Sequence, residues 1–176
     1  MSEITPNGES TKAPDILVRD EAQSDFARIR EIHRLAFGGS EEAKLVDDLR
    51  RDGFAKLSLV AEVGGHVVGH ILFSRLEAPM PALSLAPVGV DPSSQKRGVG
   101  SALIREGLKR AERSGWVSVF VLGDTAYYER FGFNVGAAKG YTSPYSGDHF
   151  MVLLFGAADV PRVGEITYPA PFGDVP

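Results

Sequence analysis

The stretch that decides the fold is Val88-Gly89-Val90-Asp91-Pro92-Ser93-Ser94-Gln95-Lys96-Arg97-Gly98-Val99-Gly100-Ser101. It reads as a strand running into a loop that feeds two glycines into a helix start. The strand, Ser84 to Asp91, carries Pro87 and Gly89 inside it. Proline cannot donate a ladder hydrogen bond, and glycine marks bulges or a close backbone approach, so this strand should be distorted on one side. Past the loop, Val99, Leu103, Ile104, Leu108 and Ala111 recur at helical spacing over residues 98–113, with Arg105, Glu106, Lys109 and Arg110 on the other face. Gly115 ends that helix, and Trp116 to Leu122 is a continuous apolar strand of the kind buried on both faces. Strand, helix and strand make one parallel crossover, which should be right-handed.

Working outward, Ile16-Leu17-Val18 is a short first strand. Phe26, Ile29, Ile32, His33, Ala36 and Phe37 give a helix over about 21–36, which Gly38-Gly39 ends. Ser40 can cap a second helix, with Leu45, Val46 and Leu49 as its apolar face and Gly53 as its stop. Leu57 to Val63 and Val67 to Leu76 flank Gly64-Gly65, and paired glycines suit the two positive φ angles of a type I′ hairpin turn. After the crossover come a short helix, Thr125 to Phe131, and two core strands, Phe133 to Val135 and Phe150 to Phe155. Glu165 to Tyr168 is an edge strand or a partner-contacting extension. The order β-α-α-β-β-β-α-β-α-β-β is mixed α/β (α+β), a mostly antiparallel sheet with one parallel pair and flanking helices. It fits one domain over 14–156, a disordered tail over 1–13 and an extension over 157–176 through which a homodimer is plausible.

Composition narrows the chemistry. The chain has 176 residues, a formal charge of -4 and no cysteine. That removes disulfides, thiolate-bound metals, a cysteine nucleophile and any route through an acyl-cysteine. Mild acidity gives no support for nucleic-acid binding. No apolar run approaches the roughly 20 residues that span a membrane, residues 1–13 have no apolar signal core, and a cytoplasmic protein is expected by default. His33, His66, His70 and His149 show no ligand spacing, so no metal is expected.

The quoted loop is a seat for a pyrophosphate. The first N–H groups of a helix lack internal partners, the helix dipole adds positive charge, glycines admit a ligand to the backbone, and Lys96 and Arg97 stand beside the turn. The bland alternative is a turn with a solvated basic face. No P-loop is present, and a dinucleotide fingerprint would need glycine at Leu103. A second segment, Tyr128-Glu129-Arg130-Phe131-Gly132-Phe133, follows the next strand. Together the two segments resemble the GCN5-related N-acetyltransferase (GNAT) superfamily. Gln95-Lys96-Arg97-Gly98-Val99-Gly100 matches its Gln/Arg-x-x-Gly-x-Gly/Ala signature, and the second segment matches its Tyr-x-x-x-Gly-Phe signature. The likeness covers roughly 14–156, and the Phe150-Met151-Val152-Leu153 strand with the loop before it looks like one bacterial subgroup of predicted acetyltransferases.

The resemblance implies a sheet splayed at its parallel pair, with acetyl-CoA in the wedge. Backbone groups of Val88 and Val90 would hold the pantetheine, and the Val90 N–H would polarise the thioester carbonyl. The amides from Gln95 through Lys96, Arg97, Gly98, Val99 and Gly100 to Ser101 would take the pyrophosphate. Tyr128 maps to the general acid, and a phenol with an ordinary pKa near ~10 is protonated at neutral pH and can donate to the leaving thiolate. Its alternative is a packed aromatic. No residue is marked as the general base. The implied activity is direct acetyl transfer to an unidentified amine, of a small molecule or a protein, in a ternary complex. A non-catalytic acyl-CoA sensor on the same fold is the alternative.

Overall fold

The computed structural model describes residues 15–156 and 159–174. The expected tail over 1–13 lies outside the described residues. Six strands form one sheet in the order β1-β2-β3-β4-β5-β7. β1 (Ile16–Asp20), β2 (Ala55–Val63), β3 (His66–Leu76) and β4 (Ala82–Val90) are successive antiparallel neighbours. Gly64 and Gly65 join β2 to β3 with φ of 58° and 79°, the pair of positive angles that a type I′ turn demands. β5 (Ser118–Leu122) is parallel to β4, and β7 (Phe150–Leu154) is antiparallel to β5.

Strand alternation separates two cores. Leu59, Ala61, Ile71 and Phe73 point one way and pack with Leu103, Ile104 and Leu108 of α3 (Val99–Arg113). Val60 and Leu72, one residue out of phase, point the other way, toward Ile29 of α1 (Phe26–Phe37) and Leu45, Val46 and Leu49 of α2 (Glu41–Arg51). The sheet is therefore the middle layer, with α3 on one face and α1 and α2 on the other. α3 lies close because Gly107 has no side chain, and a Cβ there would overlap the Phe73 ring. We expect Gly107→Ala to destabilise the fold by about 1–3 kcal/mol in urea unfolding, against the higher helix propensity of alanine. An unchanged midpoint would contradict that packing.

Several expected boundaries move. β4 begins at Ala82 and not Ser84, and β5 begins at Ser118 and not Trp116. The helix expected over 125–131 is α4 (Thr125–Glu129). Phe133 to Val135 is not a strand. Asn134 makes a single bridge to Val152, and its side chain then accepts from the Ala137 N–H, starting α5 (Val135–Ala138). Local capping won there over apolar pattern. Ser40 precedes α2 without a side-chain cap. The segment after β7 returns to its own chain. β8 (Gly164–Glu165) pairs in parallel with β6 (Tyr141–Thr142), Thr167 bridges Glu77, and Ile166 and Phe172 are buried.

Candidate active site

β4 and β5 pair only over Ala82–Ser84 and Ser118–Phe120. Beyond that the strands part. The cause is on the other edge of β4. Ile71 opposes Val88 but Phe73 opposes Leu85, so β4 has one residue more than β3 across Ala86 and Pro87. Such a bulge bends the strand that carries it, here away from β5. Past the bulge, the Asp91 N–H donates to Val68 O at 2.8 Å. By alternation the N–H groups of Val88 and Val90 point from β3 into the opening.

The opening continues into a groove at the start of α3. Val88, Val90, Gln95, Lys96, Gly98, Val99, Gly100 and Ser101 all line it. Arg97 does not. The first bond of α3 runs from the Ala102 N–H to Gly98 O at 3.0 Å, so the amides of Val99, Gly100 and Ser101 precede the ladder. Gly98 (φ 84°) and Lys96 (φ 63°) take left-handed backbone to shape the loop. Gln95 Nε2 donates to Val90 O at 3.1 Å, and the Asp91 carboxylate accepts from the Ser93 N–H, fixing loop to strand. Arg28 of α1 clamps that corner, at 2.7 Å from Asp91, and holds the Asp91 carboxyl below its ordinary range. Sequence reasoning missed Arg130. Its guanidinium reaches Ser101 Oγ at 3.1 Å and lies over the Tyr127 ring, adding a cation to the same groove.

Phe37 and Val88 also line a second cavity, of about 270 Å³, so groove and cavity meet there. Tyr128 lies on its wall. The Tyr128 ring rests on the backbone of Gly123, where a Cβ would come within 2.6 Å of it. The hydroxyl has no hydrogen-bond partner among the described residues. Burial, with Tyr127 adding to it, pushes the phenol up to about 12. Besides β4, further wall comes from Glu42 and Leu45 of α2, and from Tyr145, Tyr168 and Phe172. None of these was a candidate from sequence. They converge from three distant segments, and no motif announces them. Phe37 and Leu122 are 45% and 51% exposed, and both face this cavity.

The sequence profile described as the acetyltransferase (GNAT) family matches residues 26–133. This chain belongs to the GNAT family of acetyltransferases. It is 45% identical over 132 residues to the uncharacterised N-acetyltransferase YjhQ of Escherichia coli strain K12, covering 70% of this chain and 72% of that protein. It is 38% identical over 126 residues to the uncharacterised N-acetyltransferase YhbS of the same strain, covering 69% and 75%. A crystal structure of YhbS from Escherichia coli in complex with CoA superposes with a TM-score of 0.80 at 32% identity, over 92% of this chain and 94% of that one. A GNAT acetyltransferase from Brucella melitensis, crystallised with acetyl-CoA, gives 0.75 at 36% identity, over 90% and 98%. With the family goes the enzyme class, an N-acetyltransferase. No helix among the described residues is long and apolar enough to cross a membrane.

Beneath β4 of this GNAT enzyme lies a polar chain that the sequence spacing did not reveal. His33 Nε2 and His70 Nδ1 are 2.7 Å apart, both rings fully buried. His70 Nε2 is 2.8 Å from Ser58 Oγ, and Ser58 bonds Glu21, which Arg50 holds at 2.8 Å. One assignment of protons satisfies every link. Ser58 donates to Glu21, His70 Nε2 donates to Ser58, and His33 Nε2 donates to His70 Nδ1. It leaves His33 Nδ1 bare, facing Gly89, where a Cβ would lie 2.7 Å away. Burial, then the neighbouring His70, holds His33 down at about 3, and burial outweighs Glu21 in lowering His70. Burial alone would raise Glu21, but bonds from His70, Arg50 and Ser58 prevail and bring it to about 2. His66, on the same strand, is exposed.

Proposed function

We propose that this enzyme transfers an acetyl group from acetyl-CoA directly to an amine, with both substrates bound together. The observation that carries this reading is the opening between β4 and β5, with the N–H groups of Val88 and Val90 pointing into it on one side and, on the other, a Tyr128 hydroxyl that has no partner among the described residues. Pantetheine would pair with those backbone groups, and the Val90 N–H would polarise the thioester carbonyl. The pyrophosphate would sit on the amides of Gln95 to Ser101, beside Lys96 and Arg130. The Arg97 side chain would contribute only long-range charge in this reading. The neutral amine attacks the carbonyl carbon, a C–N bond forms, the C–S bond breaks, and the thiolate takes the Tyr128 proton. The extra proton on the new amide nitrogen leaves to water, from which the Tyr128 phenolate is reprotonated. The ammonium's own proton leaves to water first, and no side chain is assigned as base. Burial makes Tyr128 a weaker acid, but the same dry surroundings raise the pKa of the thiol it must protonate. Holding the reactants in line supplies much of the rate, up to about 7–11 kcal/mol.

The absence of cysteine leaves no thiol to carry an acetyl-enzyme. Acetyl-CoA at 100 times its Kd should stabilise the fold by about 3 kcal/mol, a rise of roughly 5–10 °C in Tm. Free thiol should appear only when an amine is added. No thermal shift at millimolar acetyl-CoA, or thiol release without amine together with an acetylated protein by mass spectrometry, would overturn direct transfer.

A further inference from the structure

The acceptor half of the cavity has a composition of its own. Tyr128, Tyr145, Tyr168, Phe37 and Phe172 supply aromatic wall, and Leu45 and Leu122 add aliphatic surface. Tyr145 and Tyr168 meet edge to face with centroids 4.7 Å apart, and Tyr168 meets Phe172 at 5.2 Å, so the wall is a braced aromatic corner. Burial raises the phenols of Tyr145 and Tyr168 above their ordinary range, so both are neutral at physiological pH. Glu42 is the one charged residue among the lining. Its carboxylate makes no hydrogen bond or ion pair among the described residues, in a helix where Lys44, Asp47, Asp48, Arg50 and Arg51 are all paired. A half-buried glutamate that lines an aromatic cavity, with no cation paired to it among the described residues, lacks its natural counter-charge. An ammonium supplies it, and the aromatic faces favour the same cation.

We propose that the acceptor is a small amine carrying one positive charge and an apolar, aromatic-sized body, and that Glu42 recognises its nitrogen. This rests on the acetyl-transfer reading above. Three acceptor classes fit less well. A second carboxylate, as in a free amino acid, would stand against Glu42 or in apolar surface. A polyamine carries further charges, and the lining offers no second anion for them. A protein amino group would enter on a flexible aliphatic stem or chain terminus, which leaves the aromatic corner of Tyr145, Tyr168 and Phe172 unmatched. Glu42 holds the ammonium by ion pairing and, once the proton has gone to water, accepts a hydrogen bond from the neutral amine, keeping it aimed at the thioester.

The test is steady-state thiol release by the full chain with acetyl-CoA and four acceptors: 2-phenylethylamine, phenylalanine, spermidine and a short peptide with a free amino terminus. Phenylethylamine should give the highest kcat/KM, at least about 10-fold above the others. Glu42→Gln should raise its KM by about 10- to 100-fold with kcat changed by less than about threefold. The KM for acetyl-CoA should be unchanged. Preference for phenylalanine, spermidine or the peptide, or an unaltered amine KM in Glu42→Gln, would overturn the inference. So would a thermal shift with acetyl-CoA but no turnover of phenylethylamine, an outcome that leaves acetyl-CoA binding standing. No thermal shift at all would instead remove the transfer reading beneath it.

Discussion

Tyr128→Phe is expected to lower kcat by about 100- to 10,000-fold, the usual worth of a positioned proton donor. Affinity for acetyl-CoA should not change, because in the proposed mechanism Tyr128 would touch the donor only where the C–S bond breaks. Stability should not change either. The hydroxyl has no partner among the described residues, and the ring that rests on Gly123 and Phe133 is kept. A loss in kcat and in kcat/KM together is the mark of an interaction made only in the transition state. The wild-type rate should show no falling alkaline limb up to about pH 10, since burial holds the phenol protonated at about 12. Retention of full activity by Tyr128→Phe would hand proton donation to water and end the case for this residue.

Acid should weaken the fold well before carboxylates titrate. An unfolded histidine has a pKa near ~6.5, whereas buried His33 is held at about 3 and His70 is also lowered. Between these values the unfolded chain binds protons that the folded chain refuses, so stability rises with pH there and is lost as pH falls. For His33 this costs about 1.4 kcal/mol per pH unit below ~6.5, or roughly 2 kcal/mol between pH 7 and 5, and His70, lowered as well, adds in the same direction. The groups facing the pair work against this only in part. Glu21 and Asp25 favour a proton on His70, while Arg50 opposes it. Glu21, at about 2 in the folded chain, adds its own loss only below its unfolded value near ~4.5. Urea titrations from pH 5 to 7.5 should show the fall. His33→Gln should be less stable at pH 7 but flatter across the range. A wild-type profile with no slope there would mean that the pair titrates as it does in water.

The sequence spoke most clearly where backbone geometry restricts residue type. Gly64-Gly65 and Gly98 stand at positive φ, and the strand containing Pro87 bends as a proline and a glycine inside it foretell. The groove was legible because one continuous stretch builds it. The acceptor wall was not, because Glu42, Tyr145 and Phe172 come from segments more than a hundred residues apart at their extremes. The histidine pair was hidden for the same reason, its members being 37 positions apart. Phe133 to Val135 failed differently. Its apolar pattern was right for burial, but the Asn134 side chain stopped the ladder after one bridge.

The return of the chain after β7 has a wider consequence. Tyr168 and Phe172 reach the cavity from a segment that touches none of the groove around Gly98 and Gly100. On the proposed reading, donor grip and acceptor choice are modular, and exchange of a short tail would retarget the catalyst to new amines while its hold on the acyl carrier stays intact.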